Sequence, residues 1–173
     1  MQEISFDTLA EMEYTIEEHR HRFAAWAAAR AAQRNFTNTK NILSAIDCTN
    51  LRQVVEDRTS WPKTSLDFDK LHGAWCNKII SKLSNVGVKC PYGRVAKIVA
   101  IYLKSSIILA GHENSTFGKI IHPPIDRILL TALGIKLNWT SLDKKSYFKL
   151  VNELRPTNPN IPFWQIEKDW KAV

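Results

Sequence analysis

Residues 91–133 read PYGRVAKIVAIYLKSSIILAGHENSTFGKIIHPPIDRILLTAL, and the rest of the chain is best understood from this stretch. Its first half is apolar on nearly every side of a helix, which is typical of a helix at the centre of a domain. Pro91 suits the start of this helix, which is predicted to end near Gly111. At about 100° per residue, one narrow stripe differs from the rest. It carries Gly93, Lys97, Ala100 and Lys104.

The two lysines on this stripe need a partner or access to water, because burying an unpaired ammonium is costly. Either they extend to solvent along their aliphatic stems, or they line a polar cleft that faces a carboxylate. Asp126 is a candidate for that carboxylate close by in sequence. Pro124 is predicted to open a helix over residues 125–133, and an acid in its first turn also interacts favourably with the helix dipole.

Helix signals recur on both sides of the central segment, whereas alternating strand patterns are scarce. Before the central segment, helices are predicted over 16–34 with Thr15 as cap, to about 47 after Thr37 or Asn38, over 50–58, and over 66–84 with an end at Asn85 and Gly87. After it, helices are predicted over 142–155, capped by Thr140 or Ser141, and from Pro162 through Trp164 and Trp170. We therefore predict an all-α fold, a single compact domain over residues 1–173, with about seven or eight helices around a central apolar helix. Its buried core should include Trp75, Val99, Leu103, Ile128 and Leu129.

The chain has 173 residues, 45% of them hydrophobic, with a formal net charge of +7. This length suits one hydrophobic core, and the basic balance favours a polyanionic partner, nucleic acid first. Residues 1–12 are acidic and lack the apolar core of a signal peptide. The apolar run 98–109 is interrupted by Lys104 and two serines and falls short of the roughly 20 residues that cross a bilayer. We expect a cytoplasmic protein, with DNA rather than a membrane as its partner.

Several common kinds of site are not indicated. Cys48, Cys76 and Cys90 form no CxxC pair and are expected to be reduced thiols. His19 and His21 are two residues apart, which turns their imidazoles to different sides of a helix. The chain has no phosphate-binding Gly-Lys-Ser/Thr loop and no Gly-x-Ser-x-Gly elbow. We expect no metal site and no cofactor.

Two short motifs stand in a recognisable order. Gly-Arg-Val-Ala at residues 93–96 precedes an apolar helix, and Pro-Ile-Asp at 124–126 precedes a second helix that ends in Leu-Gly at 133–134. Over about residues 85–138 the chain thereby resembles the helix-hairpin-helix DNA glycosylase superfamily, and more narrowly proteins with an 8-oxoguanine DNA glycosylase-type fold. In that family a hairpin with a Gly-rich turn binds the DNA backbone through main-chain N–H groups. The next helix carries a lysine nucleophile in bifunctional members, and the aspartate of a Pro-Val/Ile-Asp turn stabilises charge at the sugar.

The resemblance implies an N-glycosylase or lyase with Asp126 and Lys97 as its catalytic residues. Arg94 stands at the lysine position if the Val-Ala pairs are aligned, and Lys97 follows three residues later, so the equivalent of the family's lysine stays open between them. The implied nucleic-acid contacts are Gly93, Arg94, Lys104, Lys119 and His122.

The chemistry is physically consistent with these residues. Breaking an N-glycosidic bond builds positive charge on the deoxyribose, which a fixed carboxylate stabilises, and a lysine amine can attack the sugar carbon. The base must first leave the stack.

Three interpretations remain open: a DNA-interacting protein that cleaves out a damaged or modified base, a non-catalytic nucleic-acid-binding module of the same fold, and a helical protein-interaction domain. The glycines of the hairpin are reduced to Gly87 and Gly93, which gives more weight to the second interpretation than the Pro-Ile-Asp turn alone would. No particular protein partner is indicated.

Overall fold

The computed structural model describes residues 14–171, and every regular element in this range is helical. The all-α prediction is therefore confirmed. The α-helices are α1 Ile16–Ala32, α2 Thr39–Asp47, α3 Leu51–Glu56, α4 Ser65–Ser84, α5 Tyr92–Leu103, α6 Thr116–Ile120, α7 Arg127–Ala132 and α8 Lys144–Leu154. Three 3₁₀ turns, Arg58–Ser60, Trp139–Ser141 and Phe163–Asp169, and a π-helix, Lys104–His112, complete the regular structure of this range. The expectation about residues 1–12 lies outside the described residues.

Helix α5 occupies the centre of the fold. It packs against α1 on one side, α4 on another, and the Trp139–Ser141 turn and α8 on a third. The chain continues from α5 as a π-helix, Lys104–His112, and turns sharply at Gly111, whose φ is 90°. π-helical segments are rare and often occur at functional sites.

The close packing of α1 on α5 follows from small side chains. Five alanines of α1 are buried at this contact: Ala24, Ala25, Ala28, Ala29 and Ala32. An alanine surface lets another helix backbone approach closely without loss of side-chain entropy. The side of α1 that faces the interior therefore consists of small side chains.

Most of the predicted helix starts are correct, and two are wrong. Thr15 and Asn38 cap α1 and α2 through their side chains, as predicted. The helix after the Pro-Pro pair starts later than predicted, at Arg127, because the chain is still extended at Asp126 (φ −141°, ψ 177°). Helix α8 is capped by Asp143 rather than Thr140 or Ser141, since those two residues belong to a 3₁₀ turn.

The predicted core is largely confirmed. Trp75, Val99, Leu103 and Leu129 are fully buried. The prediction that Ile128 is buried is wrong: its side chain is partly exposed in α7, which starts later than predicted. Cys48, Cys76 and Cys90 form no disulfide, as expected.

The helical stretch Tyr92–His112 ends near Gly111, as predicted, and it runs on through Lys104 and the two serines. The expectation that no apolar stretch reaches the length of a membrane span is therefore wrong. By length and composition alone, its 21 residues can cross a bilayer. However, 56% of its most apolar window is buried inside the fold, as in the core helix of a soluble protein.

Candidate active site

The two lysines of the central helix each meet a carboxylate. Lys97 Nζ lies 3.4 Å from Asp126 Oδ2, and Lys104 Nζ lies 2.8 Å from Glu167 Oε1. The lysines are seven residues apart, about two helical turns, so both project from the same side of the helix. Each lysine of the stripe therefore has a carboxylate partner within the fold, and the partners are two different acids rather than one.

Asp126 holds both the lysine and its own helix. Its Oδ1 atom accepts a hydrogen bond of 2.9 Å from the Leu129 N–H, which makes it the N-cap of α7. Its Oδ2 atom remains for Lys97. The side chains of Lys97 and Asp126 are only 13% and 11% exposed, so the pair lies in a largely desolvated position. A carboxylate with one oxygen fixed by the backbone is rigid, as charge stabilisation in a transition state requires.

Trp139 covers the lysine side of this pair. The ammonium of Lys97 lies 4.9 Å from the centre of the indole ring, and the guanidinium of Arg94 lies 6.0 Å from it. Arg94 also stacks on Phe36 at 5.0 Å. Such cation–π contacts orient both cations and keep part of the aromatic surface beside them.

Trp139 reaches this position because Gly93 allows it. A side chain at Gly93 would collide with the Trp139 carbonyl, since its Cβ would lie 2.1 Å from that oxygen. The Gly93 N–H donates a hydrogen bond of 3.0 Å to Leu142 O. This N–H is the one that the family resemblance assigns to DNA, and here it is engaged within the fold.

A cavity of about 630 Å³ opens beside the second ion pair. The Lys104–Glu167 pair forms its polar end, and its apolar walls include Ile108, Leu109 and Trp164. Its volume falls in the range of roughly 300–1,000 Å³ that small-molecule sites occupy. The π-helix contributes one whole side of it, from Lys104 to Gly111.

Glu167 is electrostatically unusual. Burial raises the pKa of Glu167 above its ordinary value, Lys104 opposes that change, and the charge of Asp126 adds to it. The two ion pairs are therefore close enough for the charge of Asp126 to act on Glu167. Trp170 covers Lys104, with its ring centre 5.6 Å from the ammonium.

The proposed nucleic-acid contacts are only partly brought together. Arg94 lies beside Lys97, at the partly exposed edge of the cleft. Lys104 is paired with Glu167, and its side chain keeps 27% of its surface exposed. Lys119 borders a different, smaller cavity with Arg155 and Phe163.

His122 is the clearest correction. Its imidazole is fully buried and faces away from the cleft, with Nε2 2.9 Å from Asp69 and Nδ1 3.1 Å from the Tyr147 hydroxyl. Its nearness to Asp126 in sequence does not bring the two together, because the extended prolines between them separate the side chains. Burial lowers the pKa of His122 below its ordinary value, although Asp69 opposes this change. The residue cannot contact nucleic acid in this fold.

Sequence reasoning missed Glu167 and the specific role of Trp139. Trp139 and Trp170 flank the two lysines, and Glu167 lies three residues from Trp170. The only signal was that each lysine of an apolar helix needs its own carboxylate. The sequence analysis named one aspartate for two lysines, so the carboxylate partner of the second lysine was missing.

Comparisons of this chain with protein-family models, with curated proteins and with solved structures found no match.

Proposed function

We propose that this protein binds DNA and breaks the N-glycosidic bond of a damaged or modified base, with Lys97 as nucleophile and Asp126 as charge stabiliser. The observation that supports this most is the contact between Lys97 and Asp126 at a largely desolvated position. These are the two groups that the reaction needs: an amine to attack the sugar and a fixed carboxylate beside the developing positive charge.

The surroundings fit a nucleotide. The sugar would lie against the Lys97–Asp126 pair, and the extruded base would enter the cavity beside Lys104 and Trp164. Extrusion is needed because the reacting carbon is shielded within a duplex. Arg94 at the edge of the cleft would contact a phosphate, and the exposed part of Trp139 would pack against the strand.

Lys97 must be neutral when it attacks. The attack therefore requires that the Lys97 ammonium first lose its proton. Asp126 then remains a carboxylate and faces the positive charge that grows at the sugar carbon.

The first experiment is base release from duplexes that each carry one uracil, hypoxanthine, 8-oxoguanine or 7-methylguanine. Wild-type protein should release at least one of them, and Asp126→Asn should abolish that release. Asp143→Asn is the matched control, since Asp143 also caps a helix through its side chain but is exposed and lies at the start of α8. The proposal is contradicted if the wild-type protein releases no base from any of the four duplexes, or if Asp126→Asn releases the base as fast as wild type.

A second candidate function is a non-catalytic DNA-binding module. The observation in its favour is that the ion pair with Asp126 engages the Lys97 amine that catalysis would need, whereas Arg94 stays at a partly exposed position. Salt-dependent binding to duplex DNA without release of any base from the four duplexes would support this candidate instead.

A further inference from the structure

Helix α1 carries two large aromatic side chains on its exposed side. Phe23 and Trp26 keep 56% and 52% of their surface accessible to water, and their ring centres lie 6.0 Å apart. The opposite side of α1 packs on α5 through alanines, and neither ring belongs to the hydrophobic core. Neighbouring aromatic rings that stay in contact with water are typical of a surface that binds a partner.

The charge of this side of α1 indicates an anionic partner. At about 100° per residue, Phe23, Trp26 and Arg30 lie within one narrow stripe. Residues 19–34 contain four arginines and no acidic residue. Arg30 is exposed near the end of the helix, and Arg34 is exposed just after it. Aromatic rings beside arginines bind the bases and the phosphates of a nucleic-acid strand.

A cavity of about 440 Å³ opens beside Trp26, between α1, α2 and α3. Arg52 Nη1 lies 2.8 Å from one oxygen of Glu18, and Arg22 pairs with the other. Asp47 also lines the cavity, and its side chain is 62% exposed. Two arginines and two carboxylates thus surround an indole wall without net charge. Such a cavity suits a neutral base, which needs both donors and acceptors at its edges and an aromatic face to stack on.

The same surface continues to the candidate active site. The carbonyl oxygen of Arg34 accepts a hydrogen bond of 3.4 Å from Arg94 Nη1. The Arg94 guanidinium lies over the Phe36 ring at 5.0 Å. Basic and aromatic residues therefore follow one another from Trp26 through Arg30 to the edge of that site.

We propose that the exposed side of α1, from Arg22 to Arg34, binds single-stranded DNA. One base stacks on Trp26 and occupies the 440 Å³ cavity, and a neighbouring base packs on Phe23. Arg30 and Arg34 contact phosphates. Arg22 and Arg30 are about 12 Å apart along the helix axis, the length of about three or four stacked nucleotides. This binding requires no damaged base and no catalytic lysine, so it goes beyond the proposed glycosylase function.

A single strand fits this surface better than other anionic or apolar partners do. The bases of a duplex stack on each other and leave no free faces for Phe23 and Trp26. A helix that lies in a membrane surface inserts a broad apolar face, whereas the apolar side of α1 is buried against α5. A second copy of this face would bring its arginines against one another.

The experiment measures binding of a fluorescein-labelled oligothymidylate by anisotropy, at low and at physiological salt. Trp26→Ala should weaken binding about five- to a hundredfold, as expected when a stacked base is lost, and Trp26→Phe should keep most of the affinity. Leu66→Ala, which truncates an exposed leucine of α4, is the matched control and should bind like wild type. Arg30→Ala should reduce the slope of log affinity against log salt by about one counterion, whereas Lys149→Ala on α8 binds with the slope of wild type.

The inference is overturned if wild-type protein does not bind the oligothymidylate, or if Trp26→Ala binds it as tightly as wild type. Binding to phosphatidylserine vesicles instead of the oligonucleotide, or dimerisation that Trp26→Ala abolishes in sedimentation experiments, would assign this face to another partner and overturn it as well. Trapping of an abasic duplex by borohydride should be the same for Trp26→Ala and wild type. Absence of base release and trapping in wild type would remove the proposed function and leave the binding of single strands untouched.

Discussion

Lys97 Nζ lies 3.4 Å from Asp126 Oδ2, and this contact joins the middle of the central helix to the cap of α7. Between these two residues the chain passes through the π-helix, a short helix and two prolines. One aspartate thus serves the local start of a helix and a distant lysine at once. Substitutions at Asp126 can separate these two roles.

Asparagine and alanine at position 126 should differ in their effect on stability. Asparagine can still accept the Leu129 N–H, since Asn and Asp are comparable N-caps, whereas alanine cannot. We expect Asp126→Ala to lower the free energy of unfolding by about 1 kcal/mol more than Asp126→Asn. Urea unfolding at neutral pH measures the difference, and equal values for the two variants would mean that the cap contributes nothing.

The central position of α5 is tested by truncation. Leu103 is fully buried, so Leu103→Ala should cost about 2–5 kcal/mol through lost burial and a residual cavity. Leu66→Ala is the matched control, because Leu66 is 64% exposed at the start of α4 and its truncation should change stability by less than about 0.5 kcal/mol. Similar values for both substitutions would be incompatible with a central α5.

Stability should fall in mild acid because of a buried histidine. Burial holds the pKa of His72 well below its ordinary value of 6.5, so the folded protein keeps it neutral while the unfolded chain binds a proton. Its contribution is therefore fully present above pH 6.5 and is lost as the pH falls below that value. Between pH 6.5 and 5 the loss is at most about 2 kcal/mol from this residue.

Urea unfolding of His72→Gln at several pH values checks this prediction, with His19→Gln at an exposed position as control. The free energy of unfolding of His72→Gln should depend less on pH than that of wild type. An identical pH dependence for wild type and His72→Gln would show that this histidine does not carry the effect.

DNA binding should distinguish the two kinds of cation at the cleft. Arg94 lies at its partly exposed edge, so Arg94→Ala should reduce the slope of log affinity against log salt by about one counterion. Lys104 is neutralised by Glu167 inside the cleft, so Lys104→Ala should leave the slope unchanged. Fluorescence anisotropy with a short duplex at 50–200 mM salt measures both slopes. A smaller slope for Lys104→Ala than for Arg94→Ala would contradict this division.

The sequence predicted those features that local chemistry determines. Thr15 and Asn38 cap their helices because a hydroxyl or amide before an apolar periodic run satisfies free N–H groups. The lysine stripe left two alternatives open, extension to solvent or a carboxylate partner, and the structure has the second for both lysines. Asp126 was identifiable because the prolines before it predicted the start of a helix, where an acid is favoured.

Features determined by tertiary packing were not predictable in this way. His122 turns into the core toward Asp69 and Tyr147, which lie 53 and 25 residues away along the chain. Glu167 approaches Lys104 only because the C-terminal 3₁₀ turn packs on α7. The late start of α7 depends on how far the extended prolines carry the chain before Asp126. None of these contacts leaves a periodic trace in the sequence.

The most direct test of the catalytic pair is to identify the residue that becomes attached to DNA. Wild-type protein is incubated with a duplex that carries an abasic site, reduced with borohydride, digested and mapped by mass spectrometry. The adduct should be on Lys97, and Lys97→Gln should lose it while Lys149→Gln, at an exposed position of α8, keeps it. Absence of an adduct from wild-type protein, an adduct on another lysine, or undiminished trapping by Lys97→Gln would contradict the assignment of Lys97 and Asp126 as a catalytic pair.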